Sequence, residues 1–386
     1  MRIGFVSGEY PPMQGGVGAF TRELARAMVA AGHEVFVHTK LPAKDGSEPG
    51  IAVKATTTRW GWRTRRDVRE WAEVHHLDVV NVQFQTAAFN MHPAIHLLPR
   101  ALKTVPVVVT FHDLLFPYLF PKAGPLRDTV VRLLAREADL VIATNRQDEA
   151  RLREEWQIAH VTRIPIGSNV TTTPPPDYAR EKWRAELGVG PDDLLIGYFG
   201  FLNASKGGLA LVDALDRLVS GGIDAHLLML GGKVGASDPT NATYSQQVEE
   251  RIAALGLGER VYWTGFADDA AVSGHFLATD VVALPYLDGA SLRRGTLMAA
   301  LAHGRAIVTT EPTTPTPELT EVPSVATIPT PPQPERLAEA IANLWRNPGE
   351  RGKLETAARE TSGAFSWEAI ARRTLAEFEK LTGLPG

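Results

Sequence analysis

None of the 386 positions is a cysteine. That absence excludes disulfides, cysteine-ligated zinc and thiol nucleophiles together. No run approaches the ~20 apolar residues that a membrane-spanning helix needs. The hydrophobic fraction, 44%, is ordinary for a globular protein. Neither sign of charge dominates, and a net charge of −4 gives no reason to expect nucleic acid. There is no H-E-x-x-H and no acidic cluster, so no metal is expected. No G-x-G-x-x-G with a following acid after the second strand is present, which speaks against a nicotinamide-dependent oxidoreductase. The start, MRIGFVSGEY, turns polar too early for a signal peptide. A cytoplasmic protein is expected, with peripheral contact at the inner face of the membrane as a further option.

What is present is an alternation of short apolar runs and amphipathic segments, repeated twice. Strands are predicted at Ile3–Ser7, Glu34–Thr39, Ile51–Ala55, Asp78–Phe84, Pro106–Phe111 and Asp139–Thr144. Between most of them lie helical segments, including one through Val17, Phe20, Leu24 and Met28, and others at Arg66–His75, Ala94–Leu102 and Gly124–Glu137. Such alternation predicts a parallel sheet covered on both faces. The stretch TTTPPPDYAREKWRAELGVGPD then changes character, and three prolines after three threonines suggest a stiff connector. The pattern restarts at Leu194–Phe199 and continues with strands at Ala225–Leu230, Val261–Thr264, Asp280–Leu284, Ala306–Thr309 and Val325–Ile328. The expected division is 1–172, a linker over 173–192, 193–364, and a final amphipathic segment over 365–386.

Ligands of doubly wound sheets sit at the carboxyl ends of the strands. Three turns and three polar constellations fall there as candidates, against the alternatives of an empty tight turn, a structural histidine and a solvated lysine. GEYPPMQGGVGAF follows the first strand, and Gly15 and Gly16 permit close backbone approach at a helix start. Gln83, Gln85 and Thr86, His112–Asp113 and Thr144–Asn145 form a polar rim. GFLNASKGG, after the first strand of the second half, sets Lys206 before a helix. LPYLDGASLRRGTLMAALAHGRAIVT runs from strand through turn and helix to strand. In that stretch Ser291 is the expected helix cap. Arg293 and Arg294 would then fall in the first turn, where a cation is unfavourable; either an anion lies nearby or the two are solvated surface arginines.

Taken together, GEYPPMQGGVGAF (8–20), FHDLL (111–115), IPIGSN (164–169), GFLNASKG (200–207), WTGF (263–266), PYLDGASLRRGTLMAALAHGRAIVTT (285–310) and FSWEAIARRTLAEFEKL (365–381) resemble the family 4 retaining glycosyltransferases. The resemblance covers nearly the whole chain. It implies the α/β GT-B fold, two facing Rossmann-like doubly wound domains with a last helix crossing back onto the first. It implies a hexosyl-type transfer from a nucleotide-diphosphate sugar to a glycan, lipid or small-molecule acceptor by front-face displacement. No tightly bound cofactor is implied. Gly15 and Gly16 would lie against the diphosphate, His112 against the transferred sugar or acceptor, and Lys206 against the leaving diphosphate. Gly265 and Phe266 would border the base. The turn Ser291, Leu292, Arg293, Arg294, Gly295 and Thr296 would meet the donor sugar and phosphate, and Gly200 is counted among the donor-binding residues.

The family's central motif usually carries two glutamates eight apart. Those positions are Ser291 and Ala299 here, and the arginine usual before the lysine is Phe201. Arg293 or Arg294 is expected to supply the missing charge, with Arg294 counted among the catalytic residues. An inactive relative that binds a nucleotide or glycan, or partners an active enzyme, is the alternative. Two further expectations concern surfaces. RWGWRTRRDVREW (59–71) either meets an anionic membrane or packs its tryptophans inward, the second being preferred. Leu114–Phe120 either lines a hydrophobic acceptor pocket or packs in the core.

Overall fold

The computed structural model describes residues 1–13, 15–112, 114, 124–168, 170, 172–232, 239–321 and 323–384. Of the segment Leu114–Phe120, expected either to line an acceptor pocket or to pack in the core, only Leu114 is described, and it is buried in the core; residues 115–120, Asp113 and residues 233–238 lie outside the described residues. The chain divides into two compact units, Met1–Asn169 with Trp367–Gly386, and Val170–Ser366.

The first unit runs β1 (Arg2–Ser7), α1 (Gly16–Ala30), β2 (Glu34–Lys40), β3 (Ile51–Thr57), α2 (Trp62–Val74), β4 (Val79–Phe84) and α3 (Leu98–Ala101). It continues with β5 (Val107–Phe111), α4 (Gly124–Glu137), β6 (Leu140–Ala143), α5 (Arg146–Ala150) and β7 (Val161–Arg163). Among the described residues its strands form one seven-stranded parallel sheet in the order β3-β2-β1-β4-β5-β6-β7. Ile3 of β1 registers with Val35 on one side and Val79 on the other. Both faces are covered. Val80, Val82 and Phe84 pack with Trp60, Val68 and Trp71, while Ile3, Phe5 and Val79 pack with Phe20 and Leu24 of α1.

The second unit runs α6 (Arg180–Glu186), β8 (Leu194–Phe199), α7 (Gly208–Ser220), β9 (Ala225–Leu230), α8 (Pro239–Ala254), β10 (Val261–Trp263) and α9 (Asp269–Ala278). It continues with β11 (Val281–Leu284), α10 (Gly295–Ala302), β12 (Ala306–Thr310), α11 (Pro317–Thr320), β13 (Ala326–Ile328), α12 (Pro334–Arg346) and α13 (Pro348–Gly363). Among the described residues its strands form a six-stranded parallel sheet in the order β10-β9-β8-β11-β12-β13. The last helix, α14 (Trp367–Thr382), belongs to the first unit. Its Ile370, Leu375 and Phe378 are buried in the same cluster as Phe20 and Leu24. These two sheets and the returning helix are the GT-B architecture.

Several local expectations change. The helix expected from Arg66 begins at Trp62, because Gly61 and Thr64 close a cap, with Gly61 N donating to Thr64 Oγ1 at 3.1 Å. The helix expected over Ala94–Leu102 is a 3₁₀ turn, Pro93–Leu97, opened by its first residue, followed by the single turn of α3, since Pro99 has no N–H to continue the donor ladder. Trp60 and Trp71 are buried, and Trp62 is 57% exposed beside Arg65. Residues 173–192 are not free-standing: Arg184 of α6 is 2% exposed and ion-paired to Asp280.

Candidate functional site

In the second unit two turns meet at the carboxyl edge of the sheet. After β8 the chain makes a short 3₁₀ turn, Ala204–Lys206, and enters α7 through Gly207 in the left-handed region, φ +67°. A β-carbon on Gly207 would lie 2.0 Å from the Pro285 carbonyl oxygen, so only glycine lets this turn touch the one after β11. Leu287 N donates to Ser205 O at 2.8 Å and fastens the same junction. Lys206 thereby folds back over the end of its strand. Its Nζ and the Thr296 methyl lie 2.9 and 2.7 Å from where a Gly200 β-carbon would stand.

The turn after β11 differs from expectation. Ser291 does not cap a helix; its hydroxyl accepts from Arg293 N at 3.3 Å inside a turn, and α10 begins four residues later. Arg294 is the residue that precedes the helix, so the two arginines do not burden its first turn. Arg294 stacks 4.1 Å over the Tyr286 ring and pairs with Asp288. Tyr286 is 1% exposed and shares a 2.6 Å hydrogen bond with the Thr296 hydroxyl. Burial pushes the Tyr286 phenol up to about 12, so it stays a neutral hydroxyl.

Lys206, Arg294, Thr296 and Gly200 therefore share one locus. Burial first, and then repulsion from Arg294, pushes the Lys206 ammonium down to about 8. Two cations that repel one another favour an anion beside them, and Asp288 already supplies one to Arg294, which leaves Lys206 as the cation an added anion would serve. Ser291, Leu292 and Arg293 line the turn, Leu292 buried and the other two partly exposed. Gly265 and Phe266 lie beyond β10, on the far side of β9 from β8. Gly265 bridges Gly231, and Phe266 is 85% exposed with its face open to solvent.

In the first unit the polar residues of the strands fall on one face. Asn81 and Gln83 of β4 and Thr110 of β5 are buried there, and Thr110 donates to Asn81 Oδ1 at 3.0 Å. His112 follows β5, packs edge-on against Phe20 at 4.7 Å, and bonds through Nε2 to Gln83 Oε1 at 2.8 Å. Desolvation pushes the imidazole down to about 3, so the ring is neutral. A neutral ring facing a carbonyl oxygen carries its proton on Nε2, which leaves Nδ1 as an acceptor for a ligand hydroxyl. Thr144 is spent on the Phe111 carbonyl, and Asn145 caps α5.

The start of α1 is already served. The Glu9 carboxylate accepts from Val17 N at 3.0 Å and Gly18 N at 3.2 Å. Gly15 and Gly16 thus border a helix terminus that carries an internal anion, which lessens its pull on an external phosphate. Among the described residues no group of three or more His, Asp or Glu is placed to hold a metal. Likewise no described helix is long and apolar enough to cross a membrane.

Residues 15–167 match the Glycosyl transferase 4-like domain family, and residues 179–361 match the Glycosyl transferases group 1 family. The chain is a relative of the GT-B glycosyl transferases of these two families. A phosphatidyl-myo-inositol mannosyltransferase of Mycolicibacterium smegmatis is 27% identical over 81% of this chain and 76% of its own length. A D-inositol 3-phosphate glycosyltransferase of Arthrobacter is 25% identical over 98% of this chain and 94% of its own. The crystal structure of Anabaena HepE in complex with UDP superposes with a TM-score of 0.75 at 21% identity, covering all of both chains. A Rickettsia africae glycosyltransferase superposes at 0.76 with 18% identity and 98% of both chains covered.

Sequence reasoning missed Tyr286, Asp288 and Glu9. Tyr286 and Asp288 do lie directly after a buried strand, where ligand residues concentrate. Glu9 sits two residues past the end of β1, and nothing in its spacing to Val17 announces a contact made only by folding.

Proposed function

We propose that the protein is a retaining glycosyltransferase that takes a nucleotide-diphosphate sugar as donor. The observation that supports this most directly is the Lys206–Arg294 pair at Gly200 and Thr296, two cations at the carboxyl edge of the second sheet. Arg294 takes the charge role left open by Phe201. Tyr286 orients Arg294 from below, and Thr296 offers a hydroxyl and the start of α10 to a phosphate oxygen. The anomeric carbon–oxygen bond breaks toward an oxocarbenium-like state, and charge grows on the leaving diphosphate. The two cations stabilise that charge. The acceptor oxygen forms its bond to the anomeric carbon on the same face, and its proton passes to the leaving phosphate oxygen. No protein nucleophile is needed on this route. His112 takes a sugar or acceptor hydroxyl at Nδ1, held in that tautomer by Gln83. Phe266 and Gly265 border the base.

The acceptor is first sought among polyols, because the two relatives named above are both named for inositol-type acceptors. The basic surface with the exposed Trp62 is our reading of where a lipid-bearing acceptor would bring the protein to a membrane. A second reading, a nucleotide-binding relative without activity, draws support from Ala299, which puts a methyl group where a ribose carboxylate would stand.

A thermal-shift and calorimetric screen of nucleoside diphosphates and their sugars tests the proposal. Binding of one nucleotide should raise the melting temperature by mass action and vanish in Lys206→Ala. Turnover with an α-linked donor should then give an α-linked product by NMR. Absence of binding by any nucleotide would sink the donor assignment; binding without transfer would leave the second reading.

A further inference from the structure

The opposite edge of the second sheet carries a cationic cavity of its own. A 420 Å³ cavity is lined by Tyr178, Arg180, Arg305, Arg351, Glu355 and Leu277, among others. Its volume lies within the range of small-molecule sites. Thr279 and Asp280 on its wall precede β11, and Arg305 precedes β12, so it opens at the amino ends of the strands. The turn that carries Arg294 leaves the carboxyl end of the same β11. Four strand residues, roughly 13 Å at ~3.3 Å each, separate the two edges.

Charge around this cavity is unbalanced. Arg180 and Arg184 share one carboxylate, Asp280, at 2.5 and 3.0 Å. Arg305 donates to the Thr279 and His303 carbonyls, which are neutral acceptors, at 3.2 and 3.3 Å. The Arg359 stem packs over Gly304, and its charge and that of Arg180 both repel Arg305, with Glu355 in partial compensation. Glu181 also acts on this wall, through Tyr178. On the cavity wall itself Arg180, Arg305 and Arg351 face the acids Asp280 and Glu355, an excess of one positive charge, with Arg184 and Arg359 just behind it.

Two donors are also left over. Among the described residues, neither Tyr178 Oη nor Arg351 Nη1 has a hydrogen-bond partner, although both atoms are buried. Buried donors without partners carry a desolvation cost that a bound acceptor removes. Burial raises the Tyr178 phenol above its ordinary range, which keeps it a donor.

We propose that this cavity binds a phosphate dianion, free or as the phosphomonoester of a small polar molecule. The guanidiniums supply paired donors in the geometry that a phosphate accepts. Tyr178 donates to a third oxygen. An anion answers the excess of positive charge, and the volume leaves room for a sugar-sized group beyond the phosphate. The ligand would brace α6, α9 and α13 against the amino edge of β11 and β12, away from the donor turn.

Calorimetry on the full chain carrying Lys206→Ala tests this, since that substitution removes the donor locus as a competing anion site. The probes are orthophosphate, glucose 6-phosphate and glucose, at fixed ionic strength. Saturable binding of orthophosphate or glucose 6-phosphate, with none for glucose, is expected. Tighter binding of the ester assigns the site to phosphorylated sugars, and equal binding assigns it to free phosphate. Arg351→Gln and Tyr178→Phe should each weaken binding by roughly tenfold or more, as charge-assisted and buried donors do. Their unliganded melting temperatures are to be compared with the parent to separate lost binding from lost fold. No saturable response up to about 10 mM of either phosphate, a range in which a millimolar site saturates, overturns the proposal. So does binding that both variants leave intact, or binding that appears only when Lys206 is restored.

Discussion

Lys206 illustrates how one residue's chemistry is set by its neighbours. An ammonium held at about 8 by burial and by Arg294 is only half charged near that pH. A bound diphosphate restores the charge, so binding above pH 8 takes up a proton. Apparent nucleotide affinity should fall about tenfold between pH 7 and 9 by linkage. Calorimetry in two buffers of different ionisation enthalpy should register the uptake, and Lys206→Ala should abolish both effects. A pH-independent affinity in the intact protein would rule out Lys206 as a phosphate contact.

His38 makes the opposite kind of statement, about stability. It is fully buried on β2, bonded through Nε2 to Thr57 Oγ1 at 3.1 Å, with Nδ1 lacking a partner among the described residues. Desolvation, with help from Lys54, pushes it down to about 3. The unfolded chain protonates this histidine near its ordinary 6.5, and the native state does not. Stability is therefore full above pH 6.5 and is lost as the pH falls toward 3. Between pH 7 and 5 the group should cost about 2 kcal/mol. Urea unfolding of His38→Gln should show a shallower acid loss by that amount; parallel losses would disprove the linkage.

At the scale of elements, the junction of α6 with β11 is where stability concentrates. Arg184 reaches past its own helix to Asp280, Ala278 O, Gly190 O and Asp193 O. Asp280 in turn accepts from Leu195 N at 2.9 Å. Removing one partner of such a buried pair strands the other, so Arg184→Ala should cost about 3–5 kcal/mol. Arg180, with 37% of its side chain exposed, holds the same carboxylate from outside. Its Ala variant should cost about 1 kcal/mol or less. Equal losses by denaturant midpoint would refute this ranking. The element scale also explains the displaced helix start near Ser291. A serine before an apolar run is a cap only if the backbone turns there, and Leu287 N to Ser205 O together with Ala290 N to Thr310 O holds the turn open until Arg294.

At the scale of the molecule, α14 decides how the chain closes. Phe378 is fully buried against α1, far along the chain from the residues that cover it. Phe378→Ala should lower the stability of the first unit by about 3–5 kcal/mol. Hydrogen exchange should locate that loss in residues 1–169 and 367–382. An equal loss of protection throughout 170–366 would argue against two separate compact units.

The alternation of apolar strands and amphipathic helices by itself determined the two parallel sheets, because both periods are local properties of consecutive residues. The same holds for Lys206 and Arg294 as candidates, since each lies in a turn after a buried strand. Folding alone decided what those residues touch. Glu9 reaches Val17 N, Gln83 faces His112 across 29 positions, and Arg305 gathers with Arg180 and Arg351 from three separate segments. Such contacts depend on strand order and on the exact exit of each turn, and neither is encoded in the spacing of neighbouring residues.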